Sequence, residues 1–280
     1  MAGPPPYPSD LSDARWQLIE PVLIAWRARR QAGAPGFGRP AEHDLRTIMN
    51  AIVYVDRTGI AWRYLPHDYP PWATVYWYFA AWRDEEVFTE LNGLLRRLVR
   101  QAEGRNPEAS ACVIDAQSVK TSANVPVTGQ GTDAAKKIVG RKRSIAVDTL
   151  GLLLAVLVTA AGVQDSAAGI SLLDQLATGH PTLSKAWVDG GYHRAHFIDH
   201  AATLGIDAQV VPRDPATRGF TVLPRRWVVE RTFGWLMQHR RLARDYETLP
   251  ATSEAMIHLA MIDTMTRRLT GENTPNWRGT

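Results

Sequence analysis

The chain has 280 residues, 45% of them hydrophobic, a net charge of +4 and a pI of about 9.3. That length suits two domains, that apolar content excludes wholesale disorder, and the mild basicity makes the placement of charge matter more than its total. The single cysteine, Cys112, excludes an internal disulfide and a thiolate-bound zinc, and reads as a small buried hydrophobe.

The N-terminus, MAGPPPYPSD, has neither a cationic stretch nor an apolar run, so it reads as a loose arm and not as a signal peptide. Ser12 is a candidate N-cap for a helix over WQLIEPVLIAWRARR, with Pro21 as an expected kink. A Gly/Pro-rich loop follows over residues 31–40. The next helix is expected from about Glu42 to Asp56, with Ile48, Ala51, Ile52 and Val55 on one face. A turn-rich segment, RTGIAWRYLPHDYPPW, leads to a short helix over ATVYWYFAAWRDEE, and another helix runs from about Glu86 to Arg100. Helix, connection and aromatic-rich helix are consistent with a helix-turn-helix. Tyr76, Trp77, Tyr78, Phe79 and Trp82 are equally consistent with core packing. QAEGRNPEAS, residues 101–110, reads as a linker between a helical domain over 1–105 and a second domain over 106–280.

After the linker the texture changes. CVIDAQSV, RSIAVDTLG and LLAVLVTAAG read as three strands, the last two joined tightly at Leu150-Gly151. Leu152–Val163, the longest apolar stretch, is broken by Thr159 and Gly162 and is too short to span a bilayer, which leaves a cytoplasmic location as the expectation. SAAGISLLDQLATG reads as a helix, KAWVDG as a fourth strand, RAHFIDHAATLG as a helix and IDAQVVPRD as a fifth strand. PRRWVVERTFGWLMQHRRLAR and SEAMIHLAMIDTMTRRL read as closing helices. Three meandering strands followed by strands reached through helical crossovers give a mixed five-stranded α/β sheet in the order of a ribonuclease-H-like fold.

Three carboxylates stand in apolar runs: Asp115 in ACVIDAQSVK, Asp189 in KAWVDGGYHR and Glu230 in RRWVVERTFGWL. Burying a lone carboxylate costs several kcal/mol unless something pairs with it. Two strand-borne aspartates and a helix-borne glutamate point to a shared hard cation, Mg²⁺ or Mn²⁺. Two such ions about 4 Å apart serve in-line displacement at phosphorus. Two basic stretches flank these acids. KKIVGRKR carries Lys136, Lys137, Arg141, Lys142 and Arg143, and the segment from Arg225 to Arg244 also carries Arg226, Arg231, Arg240 and Arg241. Both suggest a polyanionic partner, against the alternative of ordinary solvated faces.

Together these stretches resemble the bacterial DDE transposases of the insertion-sequence five family over most of the chain. VIDAQSVK and WVDGGYHR resemble the two aspartate motifs, RRWVVERTFGWLMQHRRLARDYE the glutamate helix, and KKIVGRKRSIAVDTLGLLLAV the basic loop with its strands. LSDARWQLIEPVL, GRP, GIAWRYLP and TVYWYFAAW resemble the DNA-binding region. The resemblance implies Asp115, Asp189 and Glu230 as catalytic metal ligands. It also implies double-stranded DNA as partner, both terminal inverted repeats and target, with a homodimer or larger assembly on DNA and association with the nucleoid when bound. The implied activity is metal-dependent cleavage and strand transfer, with a related nuclease or host-recruited derivative as the alternative. Arg226, four residues before Glu230, is expected near the scissile phosphate or in an ion pair with Glu230. Arg240 and Arg241 are expected on more distant phosphates. The tyrosine and lysine of the wider group's pattern are replaced here by Leu223 and Met237.

Weaker candidates read as structural. Asp148 and Asp165 are expected to be turn or surface acids. His193, His196 and His200 have zinc-like spacing but lack a metalloprotease glutamate. Trp235 is expected to pack in the core beside Phe233 rather than stack on a base.

Overall fold

Burial of one apolar stripe per helix organises the N-terminal half. The computed structural model describes residues 7–32, 43–211 and 225–274. The proline-rich start before residue 7, most of the Gly/Pro-rich loop and Leu223 lie outside those residues. Helix α1 (Asp13–Ala32) runs through Pro21, and the Ser12 hydroxyl accepts from the Arg15 amide at 3.2 Å as its N-cap. Helix α2 (Leu45–Thr58) is capped by Asp44, whose carboxylate accepts from the Thr47 amide at 2.9 Å, and ends at Gly59 with φ of 75°. A side chain there would be strained, and its Cβ would lie 3.1 Å from the Arg240 backbone. Helices α3 (Trp72–Asp84) and α4 (Val87–Ala102) follow; α4 buries Val87, Phe88, Leu91, Leu95 and Val99 at helical spacing. Residues 59–71 separate α2 from α3 and include a short turn at Trp62–Tyr64. This is longer than the three- or four-residue turn of a helix-turn-helix. Tyr78, Phe79 and Trp82 are core residues, whereas Trp77 of the same cluster is exposed.

The second half is a mixed sheet with helices. Strand β1 (Ala111–Lys120) lies between antiparallel β3 (Ile138–Asp148) and parallel β5 (Lys185–Val188). Strand β4 (Leu153–Ala160) pairs antiparallel with β3, and β6 (Asp207–Val210) parallel with β5. These are the five expected strands. A short sixth, β2 (Gly131–Asp133), pairs with the start of β3, a feature that its three residues were too few to reveal by pattern. Helices α5 (Asp165–Gly179) and α6 (Ala195–Thr203) are the crossovers before β5 and β6. Asp148 is a turn acid, as expected, but a fully buried one. It accepts from the Leu150 and Leu152 amides in the β3–β4 turn and pairs with Arg100 at 2.6 Å.

Helix α7 (Trp227–Leu236) is shorter than the sequence suggests and ends well before Arg244. Helix α8 (Pro250–Thr270) is buried on nearly every side. It packs on α4, α1, α2 and α3 as well as on β4. One continuous core therefore runs from Leu11 through α2 and α4 to Val147, Phe233 and Met265. The linker at 101–110 divides the sequence, but packing crosses it. Among the described residues, no helix is long and apolar enough to cross a membrane.

Candidate active site

Adjacent parallel strands bring two of the three acids together. In the β1–β5 register Ile114 lies opposite Val188, so Asp115 and Asp189 each follow that pair by one residue. Asp189 turns the chain at the end of β5, its Oδ1 accepting from the Gly191 amide at 2.8 Å. Asp115 Oδ1 accepts from the Ala116 amide at 2.7 Å. The other oxygen of each faces one guanidinium: Arg226 Nη2 lies 3.4 Å from Asp115 Oδ2 and 3.7 Å from Asp189 Oδ2. The three side chains are 12%, 14% and 28% exposed for Arg226, Asp115 and Asp189, so their charges are weakly screened. Burial, and then repulsion from Asp189, push the Asp115 carboxyl up to about 6, against the pull of the Ala116 amide and Arg226. Two carboxylates in such a place require a cation. In this structure the guanidinium supplies that charge.

More residues surround this pair than the sequence suggested. Asp165, expected to be peripheral, starts α5 and forms an ion pair with Lys142 at 2.8 Å. Gly191 sits between Asp165 and Asp189: a Cβ there would lie 2.9 Å from Asp189 Oδ1 and 3.0 Å from Asp165 Oδ2. The second glycine of WVDGGYHR thus admits both acids to one corner. Tyr192 is fully buried beside them, and its hydroxyl has no hydrogen-bond partner among the described residues. Burial first, then Asp115, Asp165 and Asp189, push its phenol well above the usual range. The motif itself was the only sequence signal for Tyr192 and Gly191.

Glu230 lies in the first turn of α7 and is partly exposed. It does not pair with Arg226, which engages the aspartates instead. Among the described residues, no group of three or more His, Cys, Asp or Glu side chains is close enough to hold a metal ion. The structure therefore joins Asp115 to Asp189 and leaves Glu230 outside that pair.

Much of the expected phosphate-binding surface is internal. Arg141 is fully buried and donates to the Gly129, Glu247 and Thr248 carbonyls, with Asp245 at 3.4 Å. Arg143 is fully buried and donates to the Leu242 carbonyl. Lys142 is 6% exposed and engages Asp165 and the Val163 carbonyl. The reason is position: Arg141 and Arg143 point to one face of β3, which the 242–248 segment covers, and Lys142 points to the other, against Val163 and the start of α5. Arg241 is likewise buried, on Glu247 and the Ile60 carbonyl. These four residues are structural cations and not an open face for DNA. Lys136, Lys137 and Arg240 are exposed, although Lys136 Nζ also donates to the Ala116 carbonyl at 3.1 Å. Because α7 stops at Leu236, Arg240 lies in a separate short turn and not on the helix of Glu230.

The histidines do not converge. His193 and His196 are exposed, and His200 pairs with Asp174 at 2.7 Å. Trp235 is partly buried, and with Trp227 it sandwiches the Arg231 guanidinium at 4.7 and 4.5 Å.

Comparison with known proteins finds matches to two regions of the chain. Residues 11–92 match the family model described as "Putative transposase of IS4/5 family", and residues 106–263 match "Transposase DDE domain". A ribonuclease-H-like fold is what the second family implies, in keeping with the mixed sheet. Over 130 residues the chain is 32% identical to the "Putative transposase for insertion sequence element IS402" of Burkholderia cepacia; the match covers 44% of this chain and 60% of that protein. With the DDE model spanning more than half of its length, the chain belongs to the DDE transposases of IS4/5 type.

Proposed function

We propose that the protein binds the terminal inverted repeats of an insertion sequence, cleaves the DNA there and joins the freed ends to target DNA. The observation that carries this reading is the Asp115–Asp189 pair on adjacent strands, with one cation shared between their outer oxygens. The donor set suits a hard divalent ion: two carboxylates, with burial and then their mutual repulsion lifting Asp115 to about 6. Asp115 and Asp189, with Glu230 as the third ligand, would hold Mg²⁺ or Mn²⁺. Two such ions would activate the attacking oxygen and stabilise the leaving one at phosphorus.

The chain's own groups do the rest. Gly191 and Ala116 amides fix one oxygen of each aspartate, so the other two oxygens keep a common direction. Arg226 neutralises those oxygens when no other cation is near. Once displaced, its guanidinium stands within reach of a phosphate beside the scissile bond. Arg240, Lys136 and Lys137 offer exposed charge to more distant phosphates. Glu230, one helical turn after Arg226, would complete the acidic set.

The test is cleavage of a duplex carrying the element's own ends, in Mg²⁺, by Asp115→Asn, Asp189→Asn and Glu230→Gln. Each should lose about a thousandfold or more in rate, a loss of several kcal/mol of transition-state stabilisation, while binding of that duplex persists. Near-normal cleavage by any one of them would remove that residue from the site. Products cut but never joined to a second duplex would reduce the reading to a nuclease.

A further inference from the structure

Beside the aspartate pair stands a buried donor with nothing to bond. Tyr192 is fully buried, and its hydroxyl has no hydrogen-bond partner among the described residues. A buried hydroxyl left unpaired destabilises a fold, so most such groups find an acceptor. Burial, and then the charges of Asp115, Asp165 and Asp189 with Asp115 the strongest of the three, keep this phenol protonated, so it can only donate or stay idle.

Local structure fixes where the ring stands. Tyr192 closes the short turn that Asp189 opens, its amide donating to the Asp189 carbonyl at 3.2 Å. From there the side chain packs between α5 and α6. Its ring centroid lies 5.2 Å from that of Phe197. Gly169 makes room for both, since a Cβ on that glycine would stand 2.7 Å from each ring. Gly169 is one helical turn after Asp165, so the face of α5 that seats the ring also carries that acid. A phenylalanine would fill the same seat. The hydroxyl is therefore the part of Tyr192 for which packing gives no reason.

Arg226 holds the outer oxygens of the acidic pair, but loosely. Its Nη2 stands 3.4 Å from Asp115 and 3.7 Å from Asp189. A firm charge-assisted bond of this kind spans roughly 2.7–2.9 Å. Its Nε has no partner among the described residues. A divalent cation entering between the aspartates would displace this guanidinium by like charge. Among the described residues, Asp115 would then keep the Ala116 amide as its donor.

We propose that Tyr192 is a positioning residue of the acidic site, its hydroxyl donating to the Asp115 carboxylate once a divalent cation has taken the place of Arg226. The assignment rests on the reading of Asp115 and Asp189 as ligands of such an ion. A hydrogen bond to a metal-bound carboxylate holds it in the orientation that the ion requires.

The experiment is titration of the full-length protein with Mn²⁺, read as loss of the free-ion electron paramagnetic resonance signal, for wild type, Tyr192→Phe and Asp189→Asn. Each is also melted in chelator. Tyr192→Phe should melt within about 3 °C of wild type or above it in chelator, because no hydrogen bond is lost there. It should nevertheless bind Mn²⁺ at least about tenfold more weakly. Its cleavage of the end duplex should fall at limiting Mn²⁺ and recover when the ion is saturating. Wild-type Mn²⁺ affinity in Tyr192→Phe, with Asp189→Asn weakened, would overturn this proposal alone and leave the ion at the acidic pair. A Tyr192→Phe that melts more than about 3 °C lower in chelator would also overturn it, since the hydroxyl would then be bonded in the metal-free fold. No Mn²⁺ binding by wild type, or undiminished binding by Asp189→Asn, would remove the ion from the site, and with it both this proposal and the reading beneath it.

Discussion

Helix α8 belongs by sequence to the catalytic half but completes the core of the helical half, so a fragment of residues 1–105 should not fold alone. Met256, Ile257, Leu259, Met261, Ile262 and Met265 are each at most 2% exposed. Each such side chain contributes about 2 kcal/mol by burial, so the helix carries on the order of 12 kcal/mol, comparable to the whole stability of a typical domain. That burial is shared between the helical bundle and β4, so the bundle's part is smaller. Polar losses add to it. Arg15, fully buried, pairs with Asp263 and donates to Thr266 Oγ1, both on α8. Removing α8 would strip that guanidinium of its carboxylate and of the Thr266 hydroxyl, leaving the Asp10 carbonyl at 3.4 Å. The assay is urea unfolding of the 1–105 fragment followed by circular dichroism, with and without a peptide of residues 248–274. The fragment alone should show no cooperative transition, and the peptide should restore one. A cooperative transition in the fragment alone, with an m-value suited to its size, would refute the reasoning. It would also make residues 1–105 an independent domain on which repeat recognition could be tested directly.

Four further outcomes are expected. In chelator, Asp115→Asn should match wild-type stability near pH 4 and exceed it by about 1–3 kcal/mol at pH 8 in urea midpoints. The sign follows from a folded pKa raised to about 6: the ionised carboxyl destabilises the fold, an effect absent at low pH that grows as pH rises through that value. Gly191→Ala should depress cleavage at least about tenfold while DNA binding holds, because its Cβ would press on both Asp189 and Asp165; unchanged turnover would mean the corner is slack. Arg240→Ala should reduce the slope of log binding against log salt by about one contact in gel-shift titrations. Arg241→Ala should instead lower stability by about 3 kcal/mol, by stranding the buried Glu247, and an altered salt slope in a fully folded Arg241→Ala would contradict its burial.

Periodicity and turn residues were enough to read the order of elements. Short Val-, Ile- and Leu-rich runs marked five strands, and Leu150-Gly151 marked the tight β3–β4 turn, where Gly151 takes φ of 83°. Strand β2 escaped because three residues carry no alternation, and α7 was overextended because its apolar spacing continues into a segment where the backbone turns. Charge was the least legible property. KKIVGRKR reads as an open basic patch for a polyanion, yet Arg141, Lys142 and Arg143 alternate between strand faces that are both covered, and buried Asp245, half-buried Asp165 and backbone carbonyls receive them. Sequence spacing cannot show such pairing, because Arg141 and Asp245 meet only when β3 packs against the segment after α7.

The sequence by itself determined the element types, the acidic residues that the apolar runs isolate and the family to which they belong, because periodicity and motif are local along the chain. Only the tertiary structure decided which charges meet. It set Asp115 beside Asp189 through the β1–β5 register, gave them Arg226 rather than Glu230 as their shared partner, and drew α8 back into the helical half. Those outcomes depend on packing between elements distant in the chain, where a buried charge must find its counter-ion and an apolar face its cover.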